Sequence, residues 1–433
     1  MSGSRLYAVE NFYGRPLLPA DRLGLIRVAA QAGYAGYVYG PKQDANLRAH
    51  WTRPHSRETN AMLRTAARLC GRLGMKFGVV LSPGLRWPPR DGQLVTRIRE
   101  LIAAGATAIT VAFDDTPIGD AALGRSHANA VADAVEAIAD PVEWTACPAQ
   151  YCGTTPSAYL TAFAERLPRQ VNLAWTGPAV VSPRITESDI EAFTAATRRA
   201  PLLVDNFPVN DLTMSGVLHL GPYPKRPAAL AQGLAAVCVS VMEHGLASSV
   251  GLQTAARFWN APAVDRELAW AAVIDQTAGL APLARASRSW IGDPGPDAVL
   301  ESWVESAIAG HPAPLRSFLR QGCRSGLPAR LARALKGWLD QWDAESAAML
   351  LACELVESRP SQPLPLAMAV AAAWTSAQQG APQLFGIRRA FYPVTDPENT
   401  SEAVTSGLVL GENLTDRLCR AALTASAPDL GLS

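Results

Sequence analysis

The 433-residue sequence lacks an excess of charge of either sign, since 39 Lys and Arg face 38 Asp and Glu for a formal net charge of +1. Basic residues never run beyond pairs, so no concentrated cationic face is available for a nucleic acid or an anionic membrane surface. Lysine is scarce, with four in the whole chain. Long apolar runs are also missing. LPLAMAVAAAW, residues 364–374, reaches about half of the roughly 20 residues a membrane span requires and has prolines flanking its first leucine, so it reads as a buried helix. The N-terminal MSGSRLYAVENFYG has no basic segment leading into an apolar stretch of leader length, and a cytoplasmic protein is expected.

Cysteine is sparse and odd in number. Seven residues, from Cys70 to Cys419, form no double CxxC, which reads as reduced thiols in a reducing compartment. Cys147 and Cys152, the closest pair, are expected to pack near a strand end. No GxGxxG follows the first strand-like segment, and neither a phosphate loop nor a His/Cys cluster appears, so no nucleotide, metal or other cofactor is expected.

What is present is material for a large core, with 48% of residues hydrophobic. Eight short apolar runs, LYAV, GYVY, FGVVL, ITVAF, VEWTA, VNLAW, LLVD and AAVCVSV, start near Leu6, Gly36, Phe77, Ile109, Val142, Val171, Leu202 and Ala235. Segments such as PADRLGLIRVAAQA, ETNAMLRTAARLCGRL and ESDIEAFTAATRR lie between them, with apolar residues at three- and four-residue spacing. Strict alternation of strand and helix implies parallel strands with crossover helices. Eight units ending near residue 260 match an α/β fold of the (β/α)8 TIM-barrel kind, typically about 250 residues. A doubly wound open sheet is the alternative.

VAFDDTPIG, residues 111–119, places Asp114 beside Asp115 at the end of the fourth run. Taken alone, it reads as a helix start with Asp115 as the cap and Asp114 solvated. Two adjacent carboxylates also repel when ionised, so one should hold its proton to higher pH, which suits a site needing an acid and an anion together. In a barrel the chemistry sits in the loops after the strands. Those loops here read ENFYGRP, GPKQD, SPGL, DDT, CPAQYCGT, TGP, DNFPVND and MEHG. Their carboxylates, amides, Lys and Tyr at one mouth fit a polyhydroxylated ligand, each of whose buried hydroxyls needs a partner.

VENFYGRP, YGPKQD, LSPGL, FDD, YCGT, WTGP, DNFPVND and LGPY, in this order, resemble the O-GlcNAcase family of β-N-acetylglucosaminidases, glycoside hydrolase family 84, over roughly residues 6–262. The resemblance implies a barrel hydrolase that cleaves β-linked N-acetylglucosamine glycosides with retention, the substrate's own 2-acetamido group attacking the anomeric carbon to give an oxazoline. It implies that Asp114 holds the acetamido N–H and that Asp115 is the general acid and then the base. It further implies that Lys42 binds a sugar hydroxyl, Tyr151 orients the acetamido group, Asn206 supports that group and the Asp pair, and Asp211 takes outer hydroxyls. Tyr13 and Gly14 of the first motif complete the substrate-binding set. Three positions depart from the family pattern. Asn11 stands where the family has Gly, which requires a turn that Asn tolerates. Val204 stands for Trp, and Ser240 for an Asn whose reach it does not match.

The chain divides on this reading into a catalytic barrel, residues 1–265, and an α-helical domain, residues 266–433, interrupted by SRPSQPLP at 358–365. Trp270, Trp290, Trp303, Trp338, Trp342 and Trp374 lie there in helical patterns read as core. That domain either packs on the barrel or forms a homodimer contact. Besides the glycosidase, two functions stay open: a same-mechanism enzyme acting on a small-molecule glycoside, and a sugar-binding protein without turnover.

Overall fold

The computed structural model describes residues 5–261, 264–358, 364–394, 405–411 and 413–427. The order of elements is β1 Leu6–Glu10, α1 Pro19–Gln31, β2 Gly36–Tyr39, α2 Arg57–Arg72, β3 Lys76–Leu81, α3 Gln93–Ala103, β4 Ala108–Ala112, α4 Ala121–Ala137, β5 Glu143–Cys147, α5 Ala158–Arg166, β6 Asn172–Trp175, α6 Glu187–Thr197, β7 Pro201–Asp205, α7 Leu230–Gly233, β8 Ala236–Ser240 and α8 Ser248–Asn260. The eight strands close into a parallel barrel in sequence order, β8 returning to β1 with Val9 opposite Ser240. The open-sheet alternative is thereby excluded. Each strand begins within one residue of its sequence-expected start, because short β-branched and aromatic runs bounded by helical periodicity have few other ways to be buried.

Local chemistry sets the helix starts. Ser56 accepts from Thr59 N, Asp120 from Leu123 N and Ser157 from Leu160 N, while Thr186 and Asp189 form a reciprocal capping box. Gly124 allows α4 and α5 to approach closely, since a Cβ there would lie 2.3 Å from the Tyr159 carbonyl oxygen. Tyr7, Val9, Val38, Ala174, Leu202, Ala236 and Cys238 form a buried cluster across the strands, with Cys147 and Val204 partly buried against it. Cys147 thus packs at a strand end, as expected, and all seven cysteines are free.

Two compact units emerge. The first takes in Met1–Leu212, Tyr223–Arg266 and Pro393–Gly407, and the second Thr213–Pro222, Glu267–Tyr392 and Leu408–Ser433. Thr213–Pro222, from the long β7–β8 connection, is therefore counted with the later residues rather than with the barrel. The second unit is built on α9 Arg266–Ile274, α10 Leu280–Ala286, α11 Ala298–Ile308, α12 Ala313–Gln321, α13 Ala329–Ala334, α14 Lys336–Ser358, α15 Leu364–Gln378 and α16 Leu414–Ser426. β9 Arg389–Val394 pairs with β10 Thr405–Leu410 in a two-stranded ribbon. LPLAMAVAAAW opens α15 as expected, whereas most of the interruption expected at 358–365 lies outside the described residues. Among the described residues no helix is long and apolar enough to cross a membrane.

Candidate active site

The β4 strand hands its chain directly to the Asp pair. Phe113 N donates to the Cys147 carbonyl at 2.8 Å, prolonging the β4–β5 pairing by one residue, and the backbone then turns sharply. Asp115 makes that turn with φ 54°, a left-handed conformation that Asp tolerates better than most side chains. Thr116 Oγ1 closes the turn on the Phe113 carbonyl at 2.5 Å. The cap reading of Asp115 is wrong for a simple reason: α4 starts six residues later, at Ala121, with Asp120 as its cap. Asp115 instead points into a group of hydrogen-bond donors.

Those donors come from three other strand ends. Tyr13, after β1, donates its hydroxyl to Asp115 Oδ2 at 2.6 Å, and Tyr151, after β5, donates to Oδ1 at 2.8 Å. Lys42, after β2, bonds Asp114 Oδ2 and lies 3.4 Å from Asp115 Oδ2, so one ammonium serves both carboxylates. Arg48 donates to Asp115 Oδ2 at 3.2 Å and to the Tyr13 hydroxyl at 2.5 Å. Asp211, in the loop after β7, accepts from Tyr13 N at 2.5 Å. The sequence brought forward every member of this group except Arg48. It lies six residues beyond Lys42 in the same strand-end loop, and being one of many arginines it carried no signal of its own.

Electrostatics puts Asp115 on the ionised side of the expected division of protons. Burial pushes the Asp115 carboxyl upward, but the Lys42 charge, the Tyr13 and Tyr151 hydroxyls and Arg48 outweigh it and hold Asp115 below the usual carboxylate range. Like-charge repulsion between the two Asp residues does not leave Asp115 protonated, because two cations sit against the pair. Burial conversely pulls the Lys42 ammonium below its ordinary value, with Asp115 offsetting only part of that. The carboxyl that burial does raise is Asp211, to about 6, although the Tyr13 N–H works in the opposite sense.

Asp114 is asymmetric. Its Oδ2 meets Lys42, while its Oδ1 is buried with no hydrogen-bond partner among the described residues. A buried acceptor left unmade costs about 1–3 kcal/mol, so its retention calls for an explanation beyond folding.

The remaining sequence-expected residues form a second cluster. Asn206, after β7, accepts at Oδ1 from Asn11 Nδ2 at 3.0 Å and from Ser240 Oγ at 2.9 Å, and its own Nδ2 donates to the Val180 carbonyl at 2.7 Å. Asn11 does not take the left-handed backbone expected of it, because the loop turns at Gly14, whose φ is 126°. A Cβ at Gly14 would lie 2.5 Å from Glu243 Oε2. Ser240, fully buried, directs its hydroxyl to Asn206. Val204 lies against the barrel-filling cluster. Asp205, beside Asn206, is saturated by Tyr223 at 2.6 Å and by Arg226 at 2.8 and 3.1 Å, so it anchors the loop and offers a ligand little.

Comparison with known proteins gives three results. A family model described as beta-N-acetylglucosaminidase matches residues 7–290. The protein O-GlcNAcases of Rattus norvegicus and Mus musculus are each 29% identical over 269 residues, covering 58% of this chain and 29% of the relative, so the chain spans under a third of their length. The structure of a Thermobaculum terrenum O-GlcNAc hydrolase mutant, D120N, superposes with a TM-score of 0.80 at 20% identity, covering 98% of this chain and 95% of that one, a likeness of fold.

Proposed function

The chain belongs to the β-N-acetylglucosaminidase family, and from that premise we propose that it is a retaining glycoside hydrolase acting on β-linked N-acetylglucosamine glycosides by substrate-assisted catalysis. The observation that carries the reading is the unequal surroundings of the two aspartates. Asp114 keeps a buried, unbonded Oδ1 beside Lys42, and Asp115 has both oxygens on hydroxyl and cationic donors. In the reaction, Asp114 Oδ1 accepts the acetamido N–H and increases the electron density of the acetamido oxygen. That oxygen attacks the anomeric carbon as the glycosidic bond breaks, giving an oxazoline, and Asp115 gives its proton to the departing oxygen. Asp115 then takes a proton from the water that opens the oxazoline, so the β configuration returns. This places the nucleophile on the substrate, unlike the usual pair of flanking carboxylates.

An acid must first carry a proton, and the surroundings of Asp115 in the free protein oppose that. A sugar entering the mouth draws Lys42 toward a hydroxyl and excludes water, and loss of the ammonium from Asp115 raises its proton affinity when the leaving oxygen is in place. Tyr151 then orients the acetamido group, and Asp211 takes outer hydroxyls. A same-mechanism enzyme acting on a small-molecule glycoside in place of a modified protein is the second reading of the substrate. Release of phenol from an aryl N-acetyl-β-glucosaminide tests the reaction. Turnover that slows as the N-acetyl group is progressively fluorinated agrees with attack by the acyl oxygen. No release, or insensitivity to fluorination, sinks the hydrolase or the substrate-assisted step respectively.

A further inference from the structure

Two of the three departures from the family pattern meet at one atom. Asn11 Nδ2 and Ser240 Oγ both donate to Asn206 Oδ1, although Asn11 and Asn206 lie 195 residues apart in sequence. The orientation of the whole set follows from its far end. The Val180 carbonyl can only accept, so the Asn206 amide must turn Nδ2 toward it and Oδ1 toward Asn11 and Ser240. Asn206 Oδ1 can only accept in turn, so Asn11 must present Nδ2 there. Asn11 Oδ1 is thereby turned away from Asn206, where it is buried and bonded by no group among the described residues. A rotation of the Asn11 amide that offered Nδ2 to a ligand would set two carbonyl oxygens against each other, so the acceptor character of this position is fixed by Val180.

We propose that Asn11 is a specificity-determining residue whose Oδ1 accepts a hydrogen bond from one hydroxyl of the bound amino sugar. The inference rests on the hydrolase reading for the class of ligand, since it takes the occupant of the mouth to be a pyranose. It adds that this chain reads one hydroxyl with an amide held after β1, next to the β8 strand end where Ser240 is committed to Asn206. A sugar lacking that hydroxyl, or carrying it on the other face of the ring, leaves the Asn11 oxygen unbonded. A rigid acceptor discriminates because it has no alternative partner to turn to.

Binding of the carbocyclic analogue of methyl N-acetyl-β-glucosaminide, in which a ring methylene replaces the ring oxygen so that hydrolysis cannot occur, and of its 3-, 4- and 6-deoxy congeners by calorimetry tests this with the full chain. Wild-type protein should bind one congener roughly tenfold more weakly than the parent, the loss expected for one neutral hydrogen bond. Asn11→Ala and Asn11→Gly should bind that congener and the parent within about twofold of each other, with the ratios for the other two congeners unchanged. Unaltered thermal unfolding of either variant is the folding control, and the Gly variant serves if the Ala variant is unstable. A deoxy profile identical in wild type and variants overturns the inference, as does failure of the wild type to bind the parent sugar. Hydrolysis of the aryl glycoside with a flat profile leaves the hydrolase reading standing without this one. An Asn11-dependent profile without hydrolysis does the reverse.

Discussion

The end of β4 and helix α14 each hold a carboxylate beside a cation, partly buried in the first and fully buried in the second, and they use it in opposite ways. Glu345 of α14 is fully buried, and its oxygens accept from Arg388 at 3.0 and 3.1 Å, Gln341 at 2.8 Å, Thr415 at 2.5 Å and Asn413 at 3.4 Å. These donors come from α14 itself, the segment before β9 and the start of α16, so one side chain fastens three pieces of chain. Burial alone would pull the Arg388 guanidinium down, but Glu345 and Asp416 lift it above its ordinary value. At Asp114, by contrast, one oxygen is bonded and the other is left bare. The difference teaches that a saturated buried carboxylate holds structure together, whereas one with an unmade bond is reserved for something that arrives.

The largest effect that would break this contrast is on turnover. Asp114→Ala should lower the rate by roughly a thousandfold on both a nitrophenyl and an alkyl glycoside, if its stabilisation of the developing charge resembles that of an oxyanion donor. Asp115→Ala should abolish cleavage of the alkyl glycoside yet spare much of the nitrophenyl reaction, whose leaving oxygen hardly needs a proton. Four rates decide it, and leaving-group sensitivity in the Asp114 variant would reverse the assigned roles.

Stability is the next measure, and it should fall on the other carboxylate. Glu345→Ala leaves the Arg388 guanidinium with Asp416 as its remaining carboxylate and takes the acceptor from Gln341 and Thr415, which should cost about 3 kcal/mol in denaturant unfolding, the lower end for breaking a buried pair. Asp114→Ala leaves Lys42 with Asp115 still 3.4 Å away, so its unfolding midpoint should scarcely move. Equal losses in the two variants would remove the distinction drawn here.

The smallest effect sharpens the comparison by pH. Asp211 has its proton affinity raised by burial to about 6. Above that pH it is a carboxylate that accepts from Tyr13 N–H and, on the proposed reading, from a sugar hydroxyl; below it the added proton removes an acceptor. kcat/KM should therefore decline by about tenfold between pH 7 and pH 5, since that ratio reports ionisations of the free protein. Asp211→Asn should have lower kcat/KM at pH 7 and lose this acid limb. A limb that persists unchanged assigns it to another group.

Much of this arrangement was legible in the sequence. Eight β-runs and their helices were readable because burial on both faces demands continuous apolar strands, and helices of 3.6-residue period leave a distinct trace. Asp114, Lys42, Tyr13, Tyr151 and Asp211 were readable as strand-end polar groups, since closing a barrel brings all such ends to one mouth. Arg48 was not, because nothing distinguishes an arginine that bonds a tyrosine hydroxyl from one that is solvated. Glu345 was hidden as well, in a helix read as plain aromatic core.

The sequence by itself determined the barrel, its strand boundaries and the residues presented at its open end, since those depend on periodicity and on the order of local motifs. Only the tertiary structure decided which donors Asp115 receives, which carboxyl burial raises, and that Asn11 and Ser240 converge on Asn206. Those outcomes depend on distances between atoms far apart in the chain. Proton affinities follow the net of burial and neighbouring charge, and an amide's orientation follows from the last carbonyl in its chain of bonds, neither of which is written in any local stretch of residues.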